Sequence, residues 1–506
     1  MKNSVRYKKK SKRSRGARRR LVLVVLVAVA ALAVWSIVRG GFSQAPVRRA
    51  GERVALLRAT PRPATWTATQ IAQLRLELNE AFAPARSDRY SLAVIDATGR
   101  VIYADRERAA VTPASVQKLI VADAALNLLG PQYRFHTVFA ATQAPADGTL
   151  ASNLWLVGSG DPSLRSDDLR GAVRGLARQG LQRIDGAVAV DASEMRGPEI
   201  NPHWDPTDAN EDFQVPTSAV SLDDGTAEFR VYGLSPGEPA RVAVVPSSRD
   251  VRLTGAVRTS VSGDGVVIAA QAPNLFALGG DIPEDTEEKF WLPVHNMPVY
   301  VGDVIDRMLH QAGIVTAQRP QVSSAPLDTI VLWDHRSQPL RALIGHMLFV
   351  SDNHYAEQLM RALAVDAGEA GTDGNGLAVE RSFLSSRGIP TDGLRAVDGS
   401  GLAEADRVSA ITLARILNDA ELQDHGAELY LLLPAGGRDG TLTHYDFTTA
   451  LGRVRAKTGT LSDANSLAGY VNTMHHGRVT FAFLINDSPG DPRSAYVRAV
   501  DRIASF

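Results

Sequence analysis

Residues 112–130 read TPASVQKLIVADAALNLLG. Thr112 is a residue type that caps helices and Pro113 suits the first helical position, so a helix is predicted from here to the closing glycine. Apolar residues cover this helix on nearly all sides, which predicts that it is buried. Ser115 and Lys118 are three positions apart in the helix, so their side chains are predicted to be neighbours.

Ser115 and Lys118 form the one Ser-x-x-Lys pattern of the chain. A serine hydroxyl is a poor nucleophile and needs a base to take its proton. A lysine can be that base only when it is uncharged, although the ordinary pKa of a lysine is about 10.4. Burial and a second nearby cation both lower the pKa of an amine. We therefore predict that Ser115 is a nucleophile, that Lys118 is its base and that Lys457 is the second cation.

A Lys-Thr-Gly tripeptide that occurs once in the chain begins at Lys457, at the end of a predicted strand. Lys457 supplies a positive charge, and Thr458 and Thr460 supply hydroxyls, a combination that suits a substrate carboxylate. Gly459 allows a ligand to approach the backbone closely. The backbone N–H groups of Ser115 and Thr460 are the predicted oxyanion hole.

A Ser-Asp-Asn tripeptide that occurs once begins at Ser351, directly after an apolar predicted helix over 338–350. We predict that Ser351 relays a proton between Lys118 and the leaving amine, and that Asn353 bridges Lys118 and the substrate amide. Taken alone, each of the three patterns is typical of an ordinary helix start, helix cap or turn. Their joint occurrence, which uses two of the three lysines that follow residue 20, favours a single catalytic site.

The formal net charge of +0 hides an uneven distribution of charge. Residues 1–20 hold 11 of the 55 Lys and Arg residues and no acid, so the other residues carry 44 basic against 55 acidic groups. A negatively charged body does not attract phosphate backbones, so nucleic-acid binding by the folded part is excluded on electrostatic grounds.

The segment 21–38 follows the basic tail 1–20 and carries no charged residue. As a helix it would span about 27 Å, close to the thickness of the hydrocarbon core of a membrane. Because the positive charges precede it, the tail is predicted to be cytoplasmic and the remainder extracytoplasmic. We therefore expect a single membrane anchor followed by a linker over 39–65. A cleaved signal peptide is the alternative interpretation.

The rest of the chain divides by pattern into two regions. Residues 135–296 contain short alternating runs between Gly-, Pro- and Asp-rich turns, which predicts one or more inserted β-rich domains. Residues 66–134 and 297–506 are predicted to form one α+β domain. It would contain a hairpin at 90–104, helices after 297, and three final strands that short turns make antiparallel.

The chain has no cysteine, which excludes disulfides and thiol catalysis. Its 11 histidines show no metal-ligand spacing, and His475 and His476 are predicted to lie in an exposed turn. We predict neither a metal nor a cofactor.

The chain over about 66–506 resembles the D-alanyl-D-alanine carboxypeptidase/endopeptidase family, the class C low-molecular-mass penicillin-binding proteins. Ser-x-x-Lys, Ser-Asp-Asn and Lys-Thr-Gly mark penicillin-binding proteins and class A β-lactamases together. Ser351 follows Ser115 by 236 residues, far more than in a class A β-lactamase. The phrases that carry the resemblance are PASVQKL at 113–119, LVGSGDPSL at 156–164, SDNHYAEQL at 351–359, DGSGL at 398–402, GRDGTL at 437–442 and AKTGTLSDANSLAGYV at 456–471.

This resemblance implies a transpeptidase-like domain, an antiparallel sheet between helix layers, that is split by the insertion. It implies that peptidoglycan peptides acylate Ser115 and that β-lactam antibiotics trap the same serine. Relatives also carry an acidic and an aromatic residue that meet the diaminopimelate side chain of the substrate, which makes Asp208 and Phe213 candidates. Two alternatives stay open: a serine β-lactamase, and a non-enzymatic cell-wall binding protein with the same fold.

Overall fold

A computed structural model describes residues 64–423 and 426–506. The basic tail 1–20, the predicted membrane anchor 21–38 and the predicted linker as far as residue 63 lie outside the described residues. Within the described part of the chain, no helix is both long and apolar enough to cross a membrane.

The α-helices of the described residues begin with a capped helix that the sequence patterns did not predict. Thr67 Oγ1 accepts a hydrogen bond from the backbone N–H of Gln70, and the side-chain oxygen of Gln70 accepts one from the backbone N–H of Thr67. The helices are α1 (Ala68–Phe82), α2 (Lys118–Leu128), α3 (Ser166–Arg178), α4 (Met297–Gln311), α5 (Leu340–Val350), α6 (Asn353–Asp366), α7 (Asp373–Ser386), α8 (Ala410–Glu421), α9 (Gly426–Leu432) and α10 (Pro492–Ala504).

The β-strands fall into a group at the two ends of the described chain and a larger group between them. They are β1 (Arg89–Ile95), β2 (Val101–Asp105), β3 (His136–Ala141), β4 (Thr149–Leu150), β5 (Leu154–Gly158), β6 (Arg183–Ile184), β7 (Val188–Asp191), β8 (Thr226–Tyr232), β9 (Arg241–Val245), β10 (Arg252–Gly255), β11 (Arg258–Ser260), β12 (Gly265–Ala272), β13 (Leu275–Pro283), β14 (Glu287–Pro293), β15 (Val315–Thr316), β16 (Gln321–Val322), β17 (Ile330–Arg336), β18 (Val454–Thr460), β19 (Ala464–Asn472) and β20 (Arg478–Asn486).

The central sheet has the order β18-β19-β20-β1-β2, and every neighbouring pair in it is antiparallel. The predicted hairpin supplies β1 and β2, and the predicted C-terminal meander supplies the other three strands. Strand β1 pairs with β20 along the whole length of β1, from Arg89 opposite Asn486 to Ile95 opposite Thr480. The two ends of the described chain therefore build one sheet.

Helices cover both faces of this sheet because its side chains alternate in direction. Ala93 and Ile95 of β1 belong to the hydrophobic core that includes α2, α5, α6 and α8. Leu92 and Val94 belong to a second core, with α1 and α10 on the opposite face. The predicted α+β fold, an antiparallel sheet between helix layers with a β-rich insertion, is confirmed.

The inserted region contains strands β3–β17 in four sheets, together with α3 and α4. Its largest sheet has the order β16-β7-β5-β3-β17, so strands on both sides of residue 297 pair with each other. Helix α4, which was assigned to the catalytic part, instead packs in the core of the insertion. We therefore propose an insertion that runs to Arg336, in place of the predicted boundary at 296.

The start of the predicted helix at 112 differs from the prediction. Ala114–Gln117 form a 3-10 turn, and the α-helix begins only at Lys118. Thr112 is not its cap, because its backbone N–H donates to Asn486 Oδ1 and its hydroxyl contacts Arg407. Ala114 has a left-handed φ of +52°, which interrupts a regular helical entry.

The predicted exposed turn at His475 and His476 is only half correct. The turn joins β19 to β20, and His475 is exposed. His476 is buried and stacks on Trp66 with 4.3 Å between the ring centroids. The stacking explains the difference, because Trp66 comes from the far end of the chain and covers the turn.

Candidate active site

Ser115 lies in the 3-10 turn Ala114–Gln117, between a strained residue and the buried helix α2. A non-glycine residue in the left-handed region costs on the order of 1–3 kcal/mol and persists only where the surroundings enforce it. Ala114 is fully buried, so neighbouring residues pack around it and can enforce this conformation. This entry turns the backbone of Ser115 toward strand β18 of the central sheet.

Lys118 is fully buried, and its amine reaches three polar partners. Its Nζ lies 3.0 Å from Ser115 Oγ, 2.7 Å from Asn353 Oδ1 and 2.8 Å from the carbonyl oxygen of Ser400. Burial lowers the pKa of Lys118 to about 8, against the opposing charges of nearby carboxylates, of which Asp398 acts most strongly. The amine is therefore both within reach of Ser115 and uncharged in a useful fraction of molecules near neutral pH.

The Ser-Asp-Asn tripeptide occupies the corner between α5 and α6. Ser351 ends α5 in the left-handed conformation, with φ +67°, and Asp352 caps α6 by accepting from the backbone N–H of Tyr355 at 3.2 Å. Asn353 therefore starts α6 with its amide facing Lys118. Its Nδ2 donates to the carbonyl oxygen of Phe213, in the inserted region, at 2.9 Å.

Lys457 is fully buried on β18 and bonds to Ser351. Its Nζ donates to Ser351 Oγ at 2.8 Å and to the carbonyl oxygen of Thr458 at 2.7 Å. Burial, and then the charge of Lys118, lower the pKa of Lys457 well below its ordinary value. Both hydrogen-bond partners of the amine are uncharged, so a charged Lys457 calls for an anion from the ligand.

Gly459 allows the end of β18 to lie against the turn that carries Ser115. A Cβ atom at this position would lie 2.9 Å from the backbone nitrogen of Ser115 and 2.8 Å from the carbonyl oxygen of Pro113. A side chain therefore cannot fit, which gives a structural reason for glycine here. The next residue, Thr460, ends the strand beside the same turn and is exposed.

The hydroxyl of Thr458 faces a residue that the sequence patterns did not single out. Thr458 Oγ1 donates to Thr441 Oγ1 at 2.7 Å. Thr441 belongs to the short 3-10 turn Gly440–Leu442. The two threonines place two hydroxyls side by side at the end of β18.

The segment around Asp208 lies beside the Ser-Asp-Asn corner. Asp208 is half-buried and ends the 3-10 turn Pro206–Asp208. Phe213, five residues later, is 39% exposed, and its carbonyl oxygen is the partner of Asn353. The backbone of Phe213 thus contacts Asn353, while its ring is exposed.

The structure brings the predicted residues together in two hydrogen-bonded groups. Ser115, Lys118 and Asn353 form one group, and Ser351 and Lys457 form the other. The predicted relay from Lys118 through Ser351 differs from this arrangement, since Ser351 is bonded to the other lysine. The two groups meet through Gly459, whose backbone adjoins Ser115.

Several polar groups around Lys118 were not predicted from the sequence. Ser400 supplies a carbonyl partner to the amine, while Asp398 and Glu357 are buried carboxyl groups whose charges act on Lys118. The available signal was weak. Glu357 lies one helical turn after Asn353, and Asp398 opens a glycine-rich pentapeptide, DGSGL.

A comparison with protein-family models matches residues 77–505 to the D-Ala-D-Ala carboxypeptidase 3 (S13) family. The chain belongs to this family. It is accordingly a serine-type D-Ala-D-Ala carboxypeptidase, a peptide hydrolase.

Two characterised relatives cover most of the chain. A D-alanyl-D-alanine carboxypeptidase of Actinomadura sp. (strain R39) is 29% identical over 476 residues, which are 90% of this chain and 88% of the relative. The D-alanyl-D-alanine carboxypeptidase DacB of Haemophilus influenzae is 28% identical over 404 residues, 76% of this chain and 83% of the relative.

The fold is that of solved penicillin-binding proteins. Penicillin-binding protein 4 (dacB) from Haemophilus influenzae superposes with a TM-score of 0.73 at 24% identity, covering 85% of this chain and 97% of that chain. The same protein in complex with a β-lactam superposes with a TM-score of 0.69 at 23% identity, covering 84% of this chain and 98% of that chain.

Proposed function

We propose that Ser115 is the nucleophile of this carboxypeptidase and Lys118 its general base, and that the enzyme cuts D-alanyl bonds of peptidoglycan stem peptides. The contact that carries the proposal is the buried amine of Lys118, 3.0 Å from Ser115 Oγ. The distance suits direct proton transfer, and the lowered pKa of Lys118, about 8, suits a base.

The acylation step follows from this geometry. Lys118 Nζ takes the hydroxyl proton while Ser115 Oγ bonds to the carbonyl carbon of the penultimate D-Ala. The backbone N–H groups of Ser115 and Thr460 stabilise the negative oxygen that forms; such a donor is typically worth about 2.7–4 kcal/mol. The peptide C–N bond then breaks, the leaving amine takes a proton, and an ester on Ser115 remains. Water hydrolyses that ester and restores the serine.

We assign the terminal carboxylate of the substrate to the end of β18. Thr458, Thr460 and the Gly459 backbone would hold it, with Lys457 as the cation. A carboxylate in the pocket would supply the anion that buried Lys457 otherwise lacks, and so favour the charged form of Lys457. That charge in turn favours the uncharged form of Lys118. Substrate binding would therefore prepare both lysines for their roles.

The leaving amine approaches from the side of Ser351 and Asn353. Because Ser351 Oγ is bonded to Lys457 Nζ, we assign the transfer of the Ser115 proton to the leaving amine directly to Lys118. Asn353 is fixed between Lys118 and Phe213, so its amide would orient the substrate peptide bond. Asp208 and Phe213 are the proposed contacts for the substrate side chain.

The preferred bond is tested by mass spectrometry of peptidoglycan peptides incubated with the full-length protein. A carboxypeptidase removes one terminal alanine from pentapeptides, whereas an endopeptidase splits cross-linked dimers into monomers. Either product supports the proposal. Unchanged peptides from a preparation that binds penicillin would contradict the proposed substrate.

β-Lactams should acylate the same serine, as a β-lactam bound to the Haemophilus influenzae protein suggests. The rate constant of acylation is expected to rise with pH, because only uncharged Lys118 accepts the proton. With a pKa of about 8, the rate should reach half of its plateau near pH 8 and fall about tenfold for each unit below that. Fluorescent-penicillin labelling in a series of buffers from pH 5 to 9 measures this midpoint. A rate that declines as the pH rises through 8 would contradict the assignment of the base.

We propose that the segment 21–38 anchors the enzyme and that its catalytic part acts outside the cytoplasmic membrane. The segment is uncharged and follows 11 basic residues, which retain its N-terminal side in the cytoplasm. Full-length protein is expected in the membrane fraction after alkaline washing, and a variant that starts at residue 40 with a cleavable leader is expected in the soluble fraction. An N-terminus beyond residue 38 in the mature wild-type protein would instead show a cleaved signal.

A further inference from the structure

The loop that follows Val397 is wound around the carboxylate of Asp398. Asp398 is fully buried. Its Oδ1 accepts from the backbone N–H of Gly401 at 2.6 Å, and its Oδ2 accepts from the backbone N–H of Ala403 at 2.7 Å. Both oxygens therefore act as acceptors for backbone donors that the folded loop fixes in place.

One peptide group connects this carboxylate to the base. The peptide unit between Ser400 and Gly401 offers its N–H to Asp398 at 2.6 Å, and its carbonyl oxygen accepts from Lys118 Nζ at 2.8 Å. Hydrogen bonds in such a series polarise one another in a low-dielectric interior. The negative charge of Asp398 therefore acts on Lys118 through a single, fixed peptide dipole.

A second carboxyl group holds the other side of the loop. Glu357 of α6 accepts from the backbone N–H of Gly399 at 3.1 Å and from that of Ser400 at 2.8 Å. The loop also packs tightly on the nucleophile turn, where Gln117 donates to the carbonyl oxygen of Asp398 at 3.0 Å. The loop is thus fixed to both α6 and the serine turn.

The inserted region reaches the same carboxylate through one aromatic side chain. Trp204 is 6% exposed, and its Nε1 donates to Asp398 Oδ2 at 2.8 Å. Trp204 lies in the same segment as Phe213, whose carbonyl oxygen accepts from Asn353. The insertion therefore contacts both the loop around Asp398 and the start of α6.

Three other buried carboxyl groups lie in this cluster, and the pKa of each is raised. Burial, followed by the charge of Asp398, raises the pKa of Asp406 to about 10 and that of Glu357 to about 8. Burial raises the pKa of Glu380 as well. The groups that face Lys118 are Asp398 and Asp406 from the loop, Glu357 and Asp352 from α6 and its cap, and Lys457 from β18.

We infer that Asp398 is a positioning residue for the general base. Through the Ser400–Gly401 peptide, Asp398 holds the amine of Lys118 beside Ser115 and stabilises the protonated form of that amine. The hydrogen bond from Trp204 connects Asp398 to the inserted region. The inference rests on the proposed role of Lys118. Asp398 would set the pH at which the base becomes active, and would help Lys118 keep the proton that it takes from Ser115 until the leaving group accepts it.

The test is the pH profile of acylation in Asp398→Asn, measured on the full-length protein with fluorescent penicillin. An opposite charge at close range moves a pKa by about 1–3 units, and we expect about one unit through the intervening peptide. Loss of the negative charge lowers the pKa of Lys118, so the midpoint of the profile should move about one unit toward lower pH. The plateau should also fall, because a weaker base accepts the proton less readily.

Glu380→Gln is the matched control. Glu380 of α7 is a buried carboxyl whose pKa is raised well above its ordinary value, and it is not among the groups that face Lys118, so an amide there removes no charge from the surroundings of the base. It should leave the midpoint unchanged. Trp204→Phe keeps the ring volume but removes the N–H donor to Asp398, which leaves the carboxylate charge less screened. Its midpoint should move toward higher pH, and this variant decides the question if Asp398→Asn does not fold.

The outcomes separate this inference from the proposed function. A lower plateau with an unmoved midpoint in Asp398→Asn would show a merely structural role and overturn the inference, as would equal shifts in Asp398→Asn and Glu380→Gln. An unmoved midpoint in Trp204→Phe would overturn the link to the insertion. If the wild-type protein itself is not labelled, the proposed nucleophile and base fail instead.

Discussion

Ser115→Ala is expected to abolish both penicillin labelling and the release of D-alanine. The substitution removes the oxygen that forms the ester and leaves Lys118 and the oxyanion donors in place. Loss of a catalytic serine lowers turnover by about 10⁶-fold in a well-studied serine protease, and we expect at least about 10⁴-fold here. Fluorescent penicillin on a denaturing gel measures the first activity, and release of D-alanine from a synthetic pentapeptide measures the second.

Ser494→Ala is the control for this substitution. Ser494 is an exposed serine in the first turn of α10, a helix that packs in the core on the sheet face opposite α2, so its removal changes a serine outside the two hydrogen-bonded groups of the site. It should label as the wild type does. Equal labelling of Ser115→Ala and wild type would mean that another residue carries the acyl group.

Lys118→Ala is expected to lower the rate of acylation by about 10²–10⁴-fold, the usual contribution of a general base. The amine contacts Ser115, Asn353 and the Ser400 carbonyl, so its loss removes the base and leaves buried acceptors unsatisfied. Stopped-flow or gel-based labelling gives the rate constant. Thermal unfolding of the same preparation separates a lost base from a lost fold.

Lys118→Met separates the two effects further, because it keeps most of the side-chain volume without the amine. Lys289→Ala is the external control, since Lys289 is the one remaining lysine after residue 20 and lies at the surface with Glu228. It should acylate normally. A folded Lys118→Met protein that acylates at the wild-type rate would refute the assignment of the base.

Much of the site could be predicted because its residues sit at fixed offsets on regular elements. Ser115 and Lys118 are neighbours in any helical turn, whether 3-10 or α, so the wrong helix type did not disturb the pairing. The Lys-Thr-Gly tripeptide could be assigned to the site because its glycine allows a close backbone approach. The order of the final strands followed from their short turns.

Other features depend on contacts between segments far apart in the chain, which local patterns do not report. The left-handed Ala114 is imposed by the packing of its turn against β18. Asp398 and Trp204 are 194 residues apart, and their hydrogen bond exists only in the folded chain. The extent of the insertion depends on the pairing of β17 with β3, again across nearly 200 residues. The pairing of Ser351 with Lys457 could not be predicted for the same reason.

The residue that carries the penicillin adduct tests the role of Ser115 directly. Full-length protein is incubated with benzylpenicillin near pH 8, digested with trypsin, and the modified peptide is sequenced by mass spectrometry. We expect one long-lived adduct on Ser115, found in the peptide 109–118 or in a longer peptide that contains residues 109–118. An adduct on a different residue would contradict the account, and so would rapid hydrolysis of penicillin without a stable adduct, which would indicate a β-lactamase.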